Sequence, residues 1–226
     1  MALPVTGQVG PAALADGVTT QPLRQGRGGD VIVSTLHGRF YEANYRGAIF
    51  GNGTLALTAL SANTITLSAT TTPILGVWNP PSSTVNVSII KAVLASGINA
   101  AAATGPGAFV WAAATGVAGL TLGTAPFNHK TLTAAGSQAK GLSFVALTGL
   151  NATNNLVVQE DAGFPSPTVI TTAAVPTSVQ TPSVVTVNEV EGAYLVPPGG
   201  LFVLLNTVST TTVNVAGRLI WEEIAL

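Results

Sequence analysis

Apolar and polar positions alternate with a period of two along much of this chain. In residues 84–89, Val85, Val87 and Ile89 share one face, and the apolar run continues through Ile90 to Leu94. Residues 211–221 repeat the pattern, with Val213, Val215, Leu219 and Trp221 on one face and Asn214, Arg218 and Glu222 on the other. Leu55 with Leu57, and Ile65 with Leu67, mark two shorter alternating stretches. Such alternation predicts half-buried strands. Residues 201–205 are apolar without interruption, which predicts a central strand covered on both faces. Further strands are expected at 30–37, 39–50, 73–78, 108–111, 142–147, 156–159, 168–171 and 183–187, with turns at Gly38 and at Gly51-Asn-Gly53. Many short strands separated by turn residues are the mark of a sandwich or barrel.

Two regions break the rhythm. Residues 1–29 hold Pro4, Pro11 and Pro22 and show no period of either 2 or 3.6, so they predict an extended N-terminal arm ahead of a β domain over 30–226. Arg24 and Arg27, set among glycines in that arm, are expected to contact a neighbouring subunit. Residues 95–140 predict an irregular insertion, because Gly and Pro interrupt each alanine-rich stretch.

Composition narrows the function. Only 8% of residues are charged, against roughly 25% in an ordinary soluble domain. The net charge of −1 offers no electrostatic footprint for nucleic acid or an anionic membrane. The uncharged stretch between Lys91 and Lys130 is too interrupted by Gly and Pro for a membrane helix. No basic and apolar leader opens the sequence, so no cleaved precursor is expected. With so few charges to keep copies apart, the surface predicts tight assembly. The absence of Cys excludes disulfides and thiolate metal sites.

Catalytic chemistry finds little support. The two histidines, His37 and His129, read as surface turn residues. There is no Gly-x-Ser-x-Gly elbow, Walker loop or His-Glu-x-x-His helix. Glu189 and Glu191 would share a strand face and could hold calcium, while Glu222 and Glu223 would point to opposite faces. Tyr41, Tyr45, Trp78 and Trp111 suit sugar stacking or, more often, core and interface positions. No catalytic, metal or cofactor residue is assigned, and no enzyme is expected. Tyr41, Tyr45 and Arg46 join Arg24 and Arg27 as expected interface contacts.

The run Tyr194-Leu-Val-Pro-Pro-Gly-Gly-Leu-Phe-Val-Leu-Leu, followed after a Thr-rich turn by Val-Asn-Val-Ala-Gly-Arg-Leu-Ile-Trp-Glu-Glu-Ile224, resembles the end of virion proteins of tailed bacteriophages. So does Pro73-Ile-Leu-Gly-Val-Trp-Asn-Pro-Pro with the Val-Asn-Val-Ser-Ile-Ile strand after it. The resemblance covers residues 40–90 and 190–224. It implies an all-β, antiparallel β-sandwich of jelly-roll type that acts as a capsid decoration or cement subunit. The implied partners are the major capsid protein and copies of the chain in a homotrimer, in virions assembled in the host cytoplasm. A head-fibre or tail protein that binds a host glycan is the alternative within the virion. A secreted carbohydrate-active or carbohydrate-binding β protein is the alternative outside it.

Overall fold

A computed structural model describes residues 7–8, 23–24, 38–54, 58–60, 67–98, 107–120, 123–150, 158–164 and 184–226. Arg27, His37 and the strands expected at 30–37, 55–58, 64–68 and 168–171 lie wholly or mostly outside them. The chain divides into two units, Met1–Tyr41 and Glu42–Leu226. Within the first, β1 (Gly7–Gln8) and β2 (Leu23–Arg24) pair in parallel, Gly7 with Leu23 and Gln8 with Arg24. The rest of the expected arm falls outside the described residues.

The strand expected over 39–50 is instead a short helix, α1 (Tyr41–Tyr45), leading into β3 (Ile49–Gly53). The helix is local in origin. Glu42 and Arg46 form an i,i+4 ion pair at 2.8 Å. Gly47, at φ 76°, then closes the helix through Gly47 N–H to Asn44 O and Ala48 N–H to Ala43 O, the paired bonds of a Schellman cap.

The larger unit is a β-sandwich of two antiparallel sheets. One sheet holds β4 (Thr58–Leu60), β6 (Val85–Ile98), β8 (Phe127–Asn128), β11 (Val184–Glu189), β12 (Leu195–Val196) and β14 (Thr210–Ala225) together with β3. Its main order is β11-β6-β14-β3-β8, with β12 on β6 and β4 on β14. The other holds β5 (Leu75–Trp78), β7 (Phe109–Ala114), β9 (Lys140–Leu142), β10 (Val158–Asp161) and β13 (Leu201–Asn206), in the order β10-β7-β13-β5-β9.

The core lies between the sheets. Val87, Ile89, Ala92, Leu94, Val213, Val215, Leu219 and Trp221 from one meet Leu75, Val77, Phe109, Trp111, Phe202 and Leu204 from the other. Along β6 the inward residues are Val85, Val87 and Ile89, then Ala92 and Leu94, so the phase shifts by one midway. The shift is a β-bulge: Ile220 pairs with Lys91 and Trp221 with Ile89, which leaves Ile90 unmatched. The Ile89-Ile90 doublet therefore lets β6 stay in step with β14, where Val213, Val215, Leu219 and Trp221 keep one inward phase.

β13 is buried at all six positions, as its unbroken apolar sequence predicts. Phe202 and Leu204 face the core between the sheets, while Leu201, Val203 and Leu205 face a second layer. In that layer Leu67, Val117, Leu147 and Leu150 fold over the outside of the five-stranded sheet. The strand expected at 142–147 is thereby corrected. β9 ends at Leu142, Phe144 takes φ 50°, and the backbone bonds Phe144 N–H to Pro73 O and Leu147 N–H to Thr71 O bring the segment back over the sheet.

Gly51-Asn-Gly53, expected as a turn, lies within β3. Its glycines serve close approach rather than turning: a Cβ at Gly51 would sit 3.0 Å from His129 Nε2, and one at Gly53 would sit 3.1 Å from Gly217 O.

Candidate interaction surface

The outer face of the seven-stranded sheet is set by strand register. One row runs Glu189, Lys91, Ile220, Gly51, Phe127 across β11, β6, β14, β3 and β8. The next runs Val187, Val93, Arg218, Gly53, and a third runs Val185, Ala95, Ala216. Val185 and Val187 are 62% and 49% exposed. The face is built on strands and mixes small apolar residues with a few charges.

At the β3–β8 end, a side-chain cluster is built by Asn128. This buried residue donates from Nδ2 to Gly47 O (2.8 Å) and accepts at Oδ1 from the Lys130 and Thr131 amides (2.9 and 3.2 Å). It thus ties the end of α1 to the turn after β8 and fixes where His129 and Lys130 project. Lys130 Nζ lies 5.0 Å from the centroid of the Tyr45 ring. Arg218 Nη2 donates to His129 Nε2 at 3.2 Å, and the guanidinium carbon sits 5.8 Å from the Phe127 ring centroid. Phe127 and His129 meet edge to face at 6.3 Å. Burial, then the charge of Arg218, then that of Lys91 lower the pKa of His129 from its ordinary 6.5.

The expected contact residues lie in different places. Tyr45 belongs to this cluster and is 61% exposed. Tyr41, also on α1, is exposed. Arg46 is engaged within its own helix by Glu42. Arg24 lies on β2 in the smaller unit. His129, read from sequence as a surface turn residue, is half-buried against Arg218 and Phe127. Phe127, His129, Lys130, Lys91 and Arg218 were not singled out together by the sequence. The one local signal was the run Phe-Asn-His-Lys at 127–130.

Trp78 and Trp111 take the core positions that the sequence favoured over sugar stacking: both are buried, and Trp111 stacks on Phe202 with ring centroids 4.6 Å apart. One other expectation is corrected. Glu189 ends β11, whereas Glu191 sits in the following turn at φ 52°, so the two do not share a strand face. Glu222 and Glu223 do diverge. Glu223 faces inward and accepts from Ser137 Oγ and the Gln138 amide (3.1 Å).

Among the described residues no group of three or more His, Asp or Glu stands where it could hold a metal ion. No described helix is long and apolar enough to cross a membrane. Family models, curated proteins and solved structures were each compared with the chain, and none matched.

Proposed function

We propose that this chain is a structural subunit of a tailed-bacteriophage virion, a jelly-roll-type sandwich that binds the capsid as a decoration or cement protein. In this reading its partners are the major capsid protein and further copies of itself in a homotrimer, and it is assembled in the host cytoplasm. The supporting observation is the outer face of the seven-stranded sheet. Exposed Val185 and Val187 lie there beside Val93, Ala95 and Ala216, with Arg218, Lys91 and the aromatic cluster at one end. Apolar and aromatic residues with an arginine anchor suit a surface that works by burial. A standard interface hides about 1,600 Å², and many weak contacts across a shell add through multivalency.

The segment 1–29 is proposed to reach a neighbouring subunit, with Arg24 and Arg27 offering guanidinium forks to acceptors there. The test is attachment to particles that lack the protein, comparing the full chain with a form lacking residues 2–28 at equal concentration. Saturable attachment of the full chain, weakened by the truncation, supports the reading. Absence of attachment by the full chain overturns it, and equal occupancy by both forms removes the arm from it.

A second role within the virion, a head-fibre or tail protein that binds a host glycan, is favoured by one observation: Tyr41 and Tyr45 present exposed rings on α1.

A further inference from the structure

Arg218 is held from two sides. Its β14 position places it on the outer face, between Val93 and Gly53 in register. The Phe127 ring flanks the guanidinium, and His129 accepts one of its N–H groups at 3.2 Å. A guanidinium only donates, so His129 Nε2 is the acceptor and the imidazole is the neutral form with its proton on Nδ1. Gly51 makes room for the arrangement, since a Cβ there would lie 3.2 Å from Arg218 Nε and 3.0 Å from His129 Nε2. The side chain is exposed, and no carboxylate pairs with it among the described residues. Lys91, one row away, and Lys130, beside Tyr45, bring three of the chain's eight Lys and Arg to this end of one face. Glu189, directly across from Lys91 on β11, is the acid in the same row, with three strands between it and Phe127.

We propose that Arg218, held in place by His129 and Phe127, anchors a carboxylate-bearing segment of a partner protein. A pre-oriented guanidinium loses little conformational freedom on binding and can take a carboxylate with two parallel hydrogen bonds. Arginine beside an aromatic ring is also the usual make-up of an interface hot spot. The surroundings select a peptide rather than a polyanion. Val93 and Val187 in the same row, and Phe127 in the adjoining one, offer apolar contacts to side chains next to the acid, and three cations in a chain of net charge −1 are too few to hold a nucleic acid backbone. This inference rests on the assembly reading above and supplies the chemistry of the partner.

The experiment is an NMR titration of the isotopically labelled full chain with a short peptide alternating glutamate and leucine. The same peptide with glutamine for glutamate and a heparin-derived oligosaccharide serve as comparison ligands. The proposal expects saturable shifts at Phe127, His129 and Arg218 with the glutamate peptide and none with the glutamine peptide. Arg218→Gln should weaken binding at least about tenfold, and Arg218→Lys nearly as much, since lysine keeps the charge but not the fork. Lys130→Gln should weaken it less. Each variant's melting temperature, expected to match the parent's, separates lost binding from lost folding. No shifts, shifts with the oligosaccharide alone, or glutamate-peptide binding unchanged in Arg218→Gln would each overturn the proposal. Particle attachment that survives Arg218→Gln ends this inference and leaves the assembly reading standing. Peptide binding without any particle attachment ends the assembly reading alone.

Discussion

Arg218 Nη2 donates to His129 Nε2 at 3.2 Å, so a β14 cation and a turn imidazole share a proton-dependent contact. Burial first, and the charges of Arg218 and Lys91 after it, lower the pKa of His129 below 6.5. The unfolded chain therefore takes up this proton at a higher pH than the folded one, and the folded state loses stability as pH falls through that window. Well above 6.5, where neither state holds the proton, the group contributes no slope. Chemical denaturation of the parent and of His129→Gln across pH should show the parent losing stability faster below 6.5. Identical slopes would show that His129 is not held neutral in the fold.

Asn52 links the two sheets. It donates from Nδ2 to Leu142 O on β9 at 3.0 Å, and its Oδ1 accepts from Thr124 Oγ1 at 3.2 Å. Gly141 lies so close that a Cβ there would come 2.4 Å from Asn52 Cγ. Asn52→Ala should cost about 1–3 kcal/mol, because it strands a buried carbonyl. Gly141→Ala should cost at least as much through the clash. A denaturant midpoint unchanged by both would show that the bridge carries no load.

Trp221 is fully buried, yet its indole N–H has no partner among the described residues. Trp221→Ala should destabilise by about 3–5 kcal/mol. Trp221→Phe should cost clearly less, since it removes the unpaired donor along with some volume. Exposed Tyr45→Ala should stay within about 0.5 kcal/mol of the parent. Thermal melts of the three variants check the ranking.

How much of this was legible in the sequence depended on whether a signal was periodic or local. β14 reads from its alternation, and β13 from its unbroken apolar run, because burial on one face or two imposes those patterns directly. The helix at Tyr41–Tyr45 was hidden by aromatic residues that favour strands. The Glu42–Arg46 spacing followed by Gly47 carried the signal for it. Gly51-Asn-Gly53 read as a turn because the same glycines serve close packing, and only the tertiary neighbours His129, Arg218 and Gly217 distinguish the uses. The surface cluster was illegible for the same reason. Lys91, Phe127 and Arg218 lie far apart in sequence and meet through strand register.

Glu223 fastens the segment 137–139 to β14 by accepting from Ser137 Oγ and the Gln138 amide. Gln138 in turn accepts at Oε1 from the Thr84 amide at 2.8 Å. Glu223→Ala should release this segment at a cost of about 1–2 kcal/mol. Hydrogen exchange should then speed up at Gln138 while the amides of β13 keep their protection. Unchanged exchange at Gln138 would show that the segment holds itself.

We propose that this sandwich works by being buried in an assembly. The most direct test is co-sedimentation of the full chain with capsids that lack it, alongside the mass of the free chain in solution. A sandwich buried in a trimeric assembly would show saturable attachment and a free species three times the mass of the 22.6 kDa chain. A monomer that stays in the supernatant and cleaves a polysaccharide would contradict it.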